Sequence, residues 1–241
     1  NEILTANRNS LQLFDMLHSM RQFDDLTYVH SVNVALIASI LGQWLKFSEK
    51  DIRILTISGL LHDIGKIMIP NEILTKPGKL TVAEYNIMKQ HVNFGYEKVK
   101  NQNIDIRIKE ACLLHHEKCD GTGYPFGLKS DHIPAVAKII AIADVYDAMT
   151  SARVYRGALC PFEVIDTMYK DAFTKFEPEY ILPFLKNVAS SYINNDVRLS
   201  DGRIGKVVLI NENALSLPIV QCEDEFIDLS KTRELTVSAI L

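Results

Sequence analysis

Histidines and carboxylates that could bind metal ions recur along the sequence on segments with helical periodicity. Two adjacent histidines open the stretch HHEKCDGTGYP at residues 115–125, an arrangement that core packing does not explain. Asp63 follows a histidine directly, and Asp144 lies within IADVYDAM. Mixed imidazole and carboxylate ligands without thiolate suit iron, manganese or zinc in a site with open positions. The histidines predicted to lie on helices with an apolar face are His30, His62, His91, His115 and His116.

Each of these residues also has an ordinary structural explanation. A single helical histidine such as His30 is usually a hydrogen-bonded residue of the core or its boundary, and Asp144 could be a buried carboxylate satisfied by a helix terminus. His18 lies on a polar part of its helix and His132 lies in a loop, so we predict no ligand role for either. The joint pattern of five imidazoles and two carboxylates favours a centre for two metal ions.

The bulk properties restrict the class of protein. With 241 residues, 47% hydrophobic and 23% charged, the chain resembles a soluble protein with one helical core and a small appendage. Its net charge of −4 argues against broad binding to DNA. No apolar run approaches the ~20 residues of a membrane span. The chain begins at Asn1 rather than methionine, so we expect a fragment of a longer protein with an upstream sensor or receiver domain.

The cysteine spacing does not predict a zinc site. The sequence lacks a CxxC pair, and we expect reduced thiols in a cytoplasmic protein, none of them a metal ligand. The four cysteines are Cys112, Cys119, Cys160 and Cys222.

Helical periodicity and capping residues predict a mainly α fold. Ser48 with Asp51, and Thr81 with Glu84, resemble capping boxes that begin two of the helices. Residues 119–134 are predicted to form a long irregular loop. The predicted helices cover residues 3–20, 30–44, 48–65, 81–100, 104–117, 135–151, 162–171 and 179–192.

The pattern changes after Asn195. VRLSDGRIGKVVLI places two β-branched runs around an Asp-Gly turn, which predicts a hairpin. LPIVQC and EFIDL predict two further strands. We therefore expect a helical domain over residues 1–195 and a small β appendage over residues 196–241, whose expected role is to cap the bundle or to provide an edge for a homodimer.

The ligand order and the surrounding motifs resemble a known family. H…HD…H…HH…D is the ligand order of the HD superfamily of metal-dependent phosphohydrolases. HHEKCDGTGYP, LLHDIGKIMIP and IADVYDAMTSARVYR closely resemble the HD-GYP subgroup, and the resemblance extends from about Leu26 to Arg156. HD-GYP proteins are bacterial phosphodiesterases that degrade cyclic di-GMP, and their fold is a helical bundle around a two- or three-metal centre.

The resemblance implies a ligand set. Two divalent cations, iron or manganese, would lower the pKa of a bridging water and neutralise charge on the phosphoryl oxygens, and Asp63 is the natural bridging carboxylate. Because adjacent residues of a helix point about 100° apart, His115 and His116 are expected to serve neighbouring ions without sharing one. The expected metal ligands are His30, His62, Asp63, His91, His115, His116 and Asp144.

Cationic side chains are expected to contact the substrate. Lys66 lies three residues after Asp63 and so projects on the same side, where it would contact a phosphate or protonate the leaving oxygen. Its structural alternative is a solvent lysine at a helix C-terminus. Arg153 and Arg156 suit bidentate phosphate recognition, and their alternative is a surface ion pair.

Two further side chains complete the expected site. Asp147 lies one helical turn after Asp144 and is expected to orient a ligand histidine or the attacking water. Tyr124 either contacts the substrate, by stacking on guanine or bonding a phosphate, or anchors the loop on the bundle. The glycines around Tyr124 are expected where backbone torsions become positive.

One position departs from the family pattern. In members with three metals, a glutamate stands four residues before the first histidine, and here that position is Leu26. Leucine cannot ligate a cation, so we predict a two-metal centre and pGpG as the main product, with further cleavage to GMP left open.

Other functions fit parts of this pattern. A close variant would prefer another cyclic dinucleotide, such as a mixed guanine-adenine one. A non-catalytic module would bind the dinucleotide, or dock a diguanylate cyclase through the GYP loop, but such modules usually lose ligands. A nucleotidase or (p)ppGpp hydrolase of the wider HD group leaves HHEKCDGTGYP unexplained.

Overall fold

The computed structural model describes residue 16 and residues 18–21, 24–151, 159–232 and 234–241. The chain divides into two compact units, Asn1–Ala148 and Met149–Leu241. The first unit is helical, and the second combines helices with a five-stranded sheet, which confirms the predicted mainly α fold with C-terminal strands. Most of the predicted helix over residues 3–20 lies outside the described residues, as do Arg153 and Arg156.

The first two helices of the first unit pack closely together. Helix α1 spans Asp25–Trp44, and α2 spans Glu49–Leu61 with Ser48 as its predicted N-cap. A Cβ atom on Gly59 would lie 2.5 Å from the Ala35 Cα. This close approach needs glycine, and it brings the histidine in α1 near the end of α2.

Helix α1 is long and apolar enough to cross a membrane by length and composition alone, a test that the core helix of a soluble protein also passes. Packing accounts for part of the apolar composition, because one face of the helix is buried in the first unit, whereas the opposite side exposes Leu26, Val29, Leu36 and Ile40. The most deeply buried residues of the buried face are Val34, Ala35, Ala38 and Leu41.

The chain changes from an α-helix to a 3-10 helix after α2 ends. His62 and Asp63 follow α2 directly, and a 3-10 helix continues over Ile64–Met68. A Cβ atom on Gly65 would lie 1.9 Å from the carbonyl oxygen of His91. Only glycine therefore lets the 3-10 helix lie against the helix that begins at His91, and this contact places Asp63 beside His91.

The predicted helix over residues 81–100 is two helices. Thr81 and Glu84 form the predicted capping box with both reciprocal hydrogen bonds. The break follows because the Gln90 N–H donates to the Ile87 oxygen, three residues back, which ends the regular α pattern. The helices in this region are α3 (Asn71–Leu74), α4 (Val82–Met88) and α5 (His91–Val99).

Two more helices complete the first unit. Helix α6 spans Ile106–Leu114, and α7 spans Ala135–Thr150. The predicted irregular loop over residues 119–134 lies between them and includes a short 3-10 helix over Ser130–His132.

The second unit packs helices on a sheet. Its strands are β1 (Asp196–Leu199), β2 (Ile204–Asn211), β3 (Ala214–Cys222), β4 (Glu225–Asp228) and β5 (Val237–Ile240). They are antiparallel in the order β4-β3-β2-β1-β5. The predicted hairpin around Gly202 is present, with a positive φ of 92° at that glycine, whereas β5 was not predicted.

The compact units do not follow the predicted change at residue 195. Helices α8 (Pro161–Asp171) and α9 (Pro178–Ser191) pack with the strands, so they belong to the same unit as the sheet. The predicted division follows the change from helix to strand, and as a domain boundary it stays a prediction.

Candidate metal centre

Asp63 lies at the centre of the histidine cluster, and its two oxygens face different histidines. Oδ1 lies 3.3 Å from the His91 Nε2 and 3.9 Å from the His115 Nε2. Oδ2 lies 3.2 Å from the His62 Nε2 and 3.7 Å from the His30 Nε2. A carboxylate placed in this way can contact two cations at once.

Asp144 forms a second carboxylate contact with the cluster. Its Oδ1 lies 3.0 Å from the His30 Nε2, and its Oδ2 lies 3.8 Å from the His116 Nδ1. The structure therefore brings together all seven residues that the sequence suggested. Their ligand atoms form two groups, each within 4.8 Å: Asp63, His91, His115 and His116, and His30, His62 and Asp144.

His115 and His116 lie close together, with ring centroids 4.2 Å apart, and both belong to the group that contains Asp63. His116 also lies 3.8 Å from Asp144 of the other group. The expectation that the two histidines serve neighbouring ions stays a prediction.

Backbone carbonyls fix the orientation of three imidazoles. The Nδ1 atoms of His62, His91 and His115 lie 2.7, 2.8 and 2.9 Å from carbonyl oxygens of the preceding turn. Because a carbonyl oxygen only accepts, each Nδ1 carries the hydrogen, and each Nε2 presents a lone pair to the cluster. This is the usual orientation of a metal-binding histidine.

Burial keeps several of these imidazoles neutral. It lowers the pKa of His91, and it lowers the pKa of His116 to about 3. Burial and the neighbouring His116 hold the pKa of His115 well below its usual range. Neutral imidazole is the form that binds metal, so these side chains need lose no proton to act as ligands.

His30 is held differently from the other histidines. Its Nδ1 lies 2.6 Å from Asp147, whose other oxygen accepts from Asn33 at 2.9 Å. Burial opposes the charge on His30, but hydrogen bonds to Asp144 and Asp147 outweigh it and raise the pKa to about 9. His30 must therefore release a proton from Nε2 to bind a cation.

The carboxylates are ionised. Burial opposes the charge on Asp63, but Lys66 and His62 outweigh it and hold its pKa well below the usual range. Burial likewise opposes the charge on Asp144, and the hydrogen bond from His30 keeps its pKa low.

The donor atoms of the cluster fit metal cations. His62 Nε2 and Asp63 Oδ1 are buried without a hydrogen-bond partner. The Nε2 atoms of His91 and His115 are 3.4 Å apart, and both are lone-pair atoms because both Nδ1 atoms donate elsewhere. Facing lone pairs repel one another unless a cation lies near them, and the nitrogen and oxygen donors suit divalent metals. Within the described residues, neither metal-ligand group contains a cysteine.

Lys66 and Tyr124 lie beside the cluster. The Lys66 Nζ is 2.5 Å from Asp63 Oδ2, and its side chain is partly exposed. Tyr124 stacks on His116, with centroids 4.7 Å apart and an interplanar angle of 29°, as a loop anchor would. Burial raises the pKa of the Tyr124 phenol, so it stays protonated and able to donate.

The loop that carries Tyr124 is held by a residue that was not among the predicted site residues. Glu117 is buried, and its carboxylate accepts three backbone N–H bonds, from Phe126 at 2.7 Å, Gly127 at 3.1 Å and Leu128 at 2.9 Å. A carboxylate that follows a ligand histidine and precedes a glycine-rich loop is the signal that could have identified it.

Glycine is needed at two positions of this loop for different physical reasons. Gly121 has a positive φ of 83°, as expected. At Gly123 the reason is space, because an added Cβ would lie 2.4 Å from the Glu117 Cα and 2.6 Å from the His116 oxygen. The loop therefore folds directly onto the ligand histidines.

Known proteins resemble this chain over most of its length. Residues 10–180 match the HD domain family. The chain is 36% identical over 203 residues to a cyclic di-GMP phosphodiesterase of Pseudomonas aeruginosa, covering 84% of this chain and 49% of that protein. It is also 36% identical over 191 residues to a cyclic di-GMP phosphodiesterase response regulator of Xanthomonas campestris, covering 78% of this chain and 50% of that protein.

A solved structure shares the fold. The HD domain of an L. monocytogenes phosphodiesterase, in complex with cyclic di-AMP, aligns with a TM-score of 0.56 at 18% identity, over 73% of this chain and 95% of that chain. The chain spans about half the length of the two curated relatives above. The family match covers most of the chain, and the predicted resemblance is confirmed: this chain belongs to the HD domain family.

Proposed function

We propose that this chain is a metal-dependent phosphodiesterase that hydrolyses cyclic di-GMP to linear pGpG. The observation that carries the proposal is the position of Asp63, whose two oxygens face two separate sets of imidazole nitrogens. The names of the two relatives described above support the substrate class, because both are cyclic di-GMP phosphodiesterases.

The expected ligands define where the metals would bind. Asp63 would bridge two divalent cations, iron or manganese, and the remaining ligands would be His30, His62, His91, His115, His116 and Asp144. When bound, such a pair supplies hydroxide near neutral pH and neutralises charge on the phosphoryl oxygens. The carbonyl contacts of His62, His91 and His115 keep their Nε2 lone pairs directed inward without rearrangement.

Other residues act on the substrate and on the ligands. Lys66 is the ammonium nearest Asp63, and we assign it to stabilising charge on the phosphoryl group or to protonating the leaving oxygen. Asp147 holds His30 by a 2.6 Å contact, which supports its role in orienting that histidine. Tyr124 can donate a phenolic hydrogen bond to a phosphate, and Arg153 and Arg156 remain proposed phosphate contacts.

The leucine at position 26 supports the proposal that pGpG is the main product. Leu26 lies one turn before His30 on α1, and 61% of it is exposed. An alkyl side chain offers no ligand at that position, which favours two cations over three.

A second cyclic dinucleotide is a specific alternative substrate. The chain is 36% identical over 158 residues to a 3'3'-cGAMP-specific phosphodiesterase of Vibrio cholerae, covering 64% of this chain and 30% of that protein. Metal ligands do not read the bases, so the cluster accommodates either phosphodiester. The non-catalytic module is the other alternative, and the complete donor set weighs against it.

The cellular setting extends the proposal. We propose that the chain acts in the bacterial cytoplasm as part of a longer protein with a sensor or receiver domain, since it covers about half of its relatives. Docking of a diguanylate cyclase through the GYP loop, a homodimer formed by the β appendage, and a division into domains at residues 195 and 196 belong to the same proposal.

The test is turnover by the purified protein. Protein loaded with Fe²⁺ or Mn²⁺ under reducing conditions is incubated with cyclic di-GMP or 3'3'-cGAMP, and the products are separated by chromatography. We expect pGpG to accumulate from cyclic di-GMP. Tight binding without product would support the non-catalytic module, and faster cleavage of cGAMP would change the proposed substrate.

A further inference from the structure

Helix α4 is firmly held although it contributes nothing to the core. None of its residues is buried, yet Thr81 and Glu84 cap it reciprocally and the Lys76 ammonium lies 2.6 Å from Glu84. A short helix without core packing is only marginally stable by itself. These polar contacts therefore hold the backbone of a helix whose side chains face outward.

Tyr85 on this helix lies at the rim of the metal cluster. Its ring centroid is 6.5 Å from that of Tyr124 at an interplanar angle of 81°, and Tyr124 stacks in turn on His116. Two ring contacts thus connect a proposed metal ligand to an aromatic side chain that is 48% exposed. The Lys89 ammonium lies 5.2 Å from the Tyr85 centroid and adds positive charge beside the ring.

An exposed aromatic ring beside a proposed phosphodiester site has a definite chemical use. A cyclic dinucleotide carries its bases on either side of its phosphates, so a phosphate held at the cluster leaves a base at the rim. Bases stack on aromatic side chains, and this stacking tolerates any base because every base has a π face. We propose that Tyr85 forms a nucleobase subsite for the cyclic dinucleotide, a role that rests on the proposed function.

The nature of stacking sets the expected selectivity. Tyr85 raises the affinity for the dinucleotide and does not choose between guanine and adenine, because the face of a base carries no hydrogen-bond pattern. Replacing Tyr85 therefore weakens the binding of cyclic di-GMP and of 3'3'-cGAMP to the same extent.

The kinetic test compares substrates with and without a base. We expect Tyr85→Ala to lower kcat/KM for cyclic di-GMP about tenfold relative to its effect on methyl p-nitrophenyl phosphate, mainly through KM. Tyr85→Phe keeps the aromatic ring and restores the ratio. Val82→Ala, an 81% exposed position on the same helix, is the matched control. An equal loss on both substrates, or no rescue by phenylalanine, would overturn the subsite.

A binding measurement separates this inference from the proposed function. Equilibrium dialysis of a hydrolysis-resistant phosphorothioate analogue of cyclic di-GMP against Mn²⁺-loaded protein needs no turnover, and we expect Tyr85→Ala to raise Kd about tenfold. If the wild type binds but does not hydrolyse, the phosphodiesterase proposal fails while the weaker binding of Tyr85→Ala still supports the subsite. Equal Kd values for the wild type and Tyr85→Ala, or no binding by the wild type, would overturn the nucleobase subsite.

Discussion

The two compact units bury different kinds of side chain. In the first, buried imidazoles and carboxylates lie beside apolar residues, and they include His62, Asp63, His91 and Asp144. In the second, the described buried residues are apolar, with Phe162 and Phe184 among the largest. Burying a polar group without a partner costs about 1–3 kcal/mol, so a fold does not gain stability from an unsatisfied cluster.

This contrast supports the proposed metal centre in the first unit. His62 Nε2 and Asp63 Oδ1 are left without hydrogen-bond partners at the point where the imidazole lone pairs converge, whereas the helices and sheet of the second unit are explained by burial of apolar surface alone. A cation would convert the unfavourable arrangement of the first unit into a favourable one. The predictions below test whether the difference between the units is due to metal binding.

The largest expected effect is the loss of turnover in Asp63→Asn. An amide presents one oxygen and one N–H₂ group, so it cannot face both sets of lone pairs as an acceptor. We expect metal content to fall and cyclic di-GMP hydrolysis to become undetectable. Asp166→Asn is the matched control, because Asp166 is an exposed partner of Lys170 in the second unit. Full metal loading and turnover by Asp63→Asn would remove Asp63 from the centre.

Gly65→Ala should be the next most severe change. Its Cβ would meet the His91 carbonyl and the Gly95 nitrogen, both backbone atoms, so the 3-10 helix and α5 must separate. We expect a loss of about 3 kcal/mol in the free energy of unfolding, measured with denaturant, and weaker metal binding because His91 moves from Asp63.

Gly202→Ala provides the corresponding change in the second unit. Gly202 has φ of 92° with open space around it, so the cost is backbone strain of about 1–2 kcal/mol, with metal content unchanged. Equal losses in the free energy of unfolding for Gly65→Ala and Gly202→Ala would mean that the close contact at Gly65 is not needed for the stability of the first unit.

Metal addition should stabilise the first unit. At about 100 times Kd, a bound cation adds about 2.7 kcal/mol to the free energy of unfolding. Hydrogen exchange should show greater protection of α2, α5 and α6 with Mn²⁺ or Fe²⁺, and unchanged protection of β2 and β3. Protection that rises equally in both units, or in neither, would contradict metal binding at the cluster.

Local signals in the sequence predict much of the first unit. The caps at Ser48 and at Thr81 with Glu84 depend on residues three apart, so a short window contains the whole interaction. The seven donors could also be identified, five of them from the quoted motifs and His30 and His91 from the ligand order that resembles the HD superfamily. Both kinds of prediction use chemistry that does not depend on the path of the rest of the chain.

Contacts between distant segments could not be predicted in this way. The break at Gln90 depends on how that helix end bends. The packing of α8 and α9 with the strands depends on tertiary contacts that no single segment encodes. Strand β5 is short and pairs with the distant β1, so periodicity alone gives little indication of it.

Glu117 combines the two kinds of information. Its motif position was visible, but its three N–H partners lie nine to eleven residues away. Glu117→Gln replaces one oxygen with an N–H₂ group, which leaves at least one backbone donor facing another donor. We expect a loss of about 1–3 kcal/mol in the free energy of unfolding, and a larger KM for cyclic di-GMP as Tyr124 loosens, at unchanged metal content.

The control for this variant is Glu97→Gln, because Glu97 pairs with Lys100 on the surface with 60% of its side chain exposed. Removing that ion pair should change the free energy of unfolding by less than about 1 kcal/mol and leave KM unaltered. If Glu117→Gln behaves like this control, the buried carboxylate only fills space, and the loop holds Tyr124 on His116 without it. If Glu117→Gln lowers the metal content instead, the loop holds the metal-ligand histidines in place. The buried polar cluster then extends through Glu117 to residue 128.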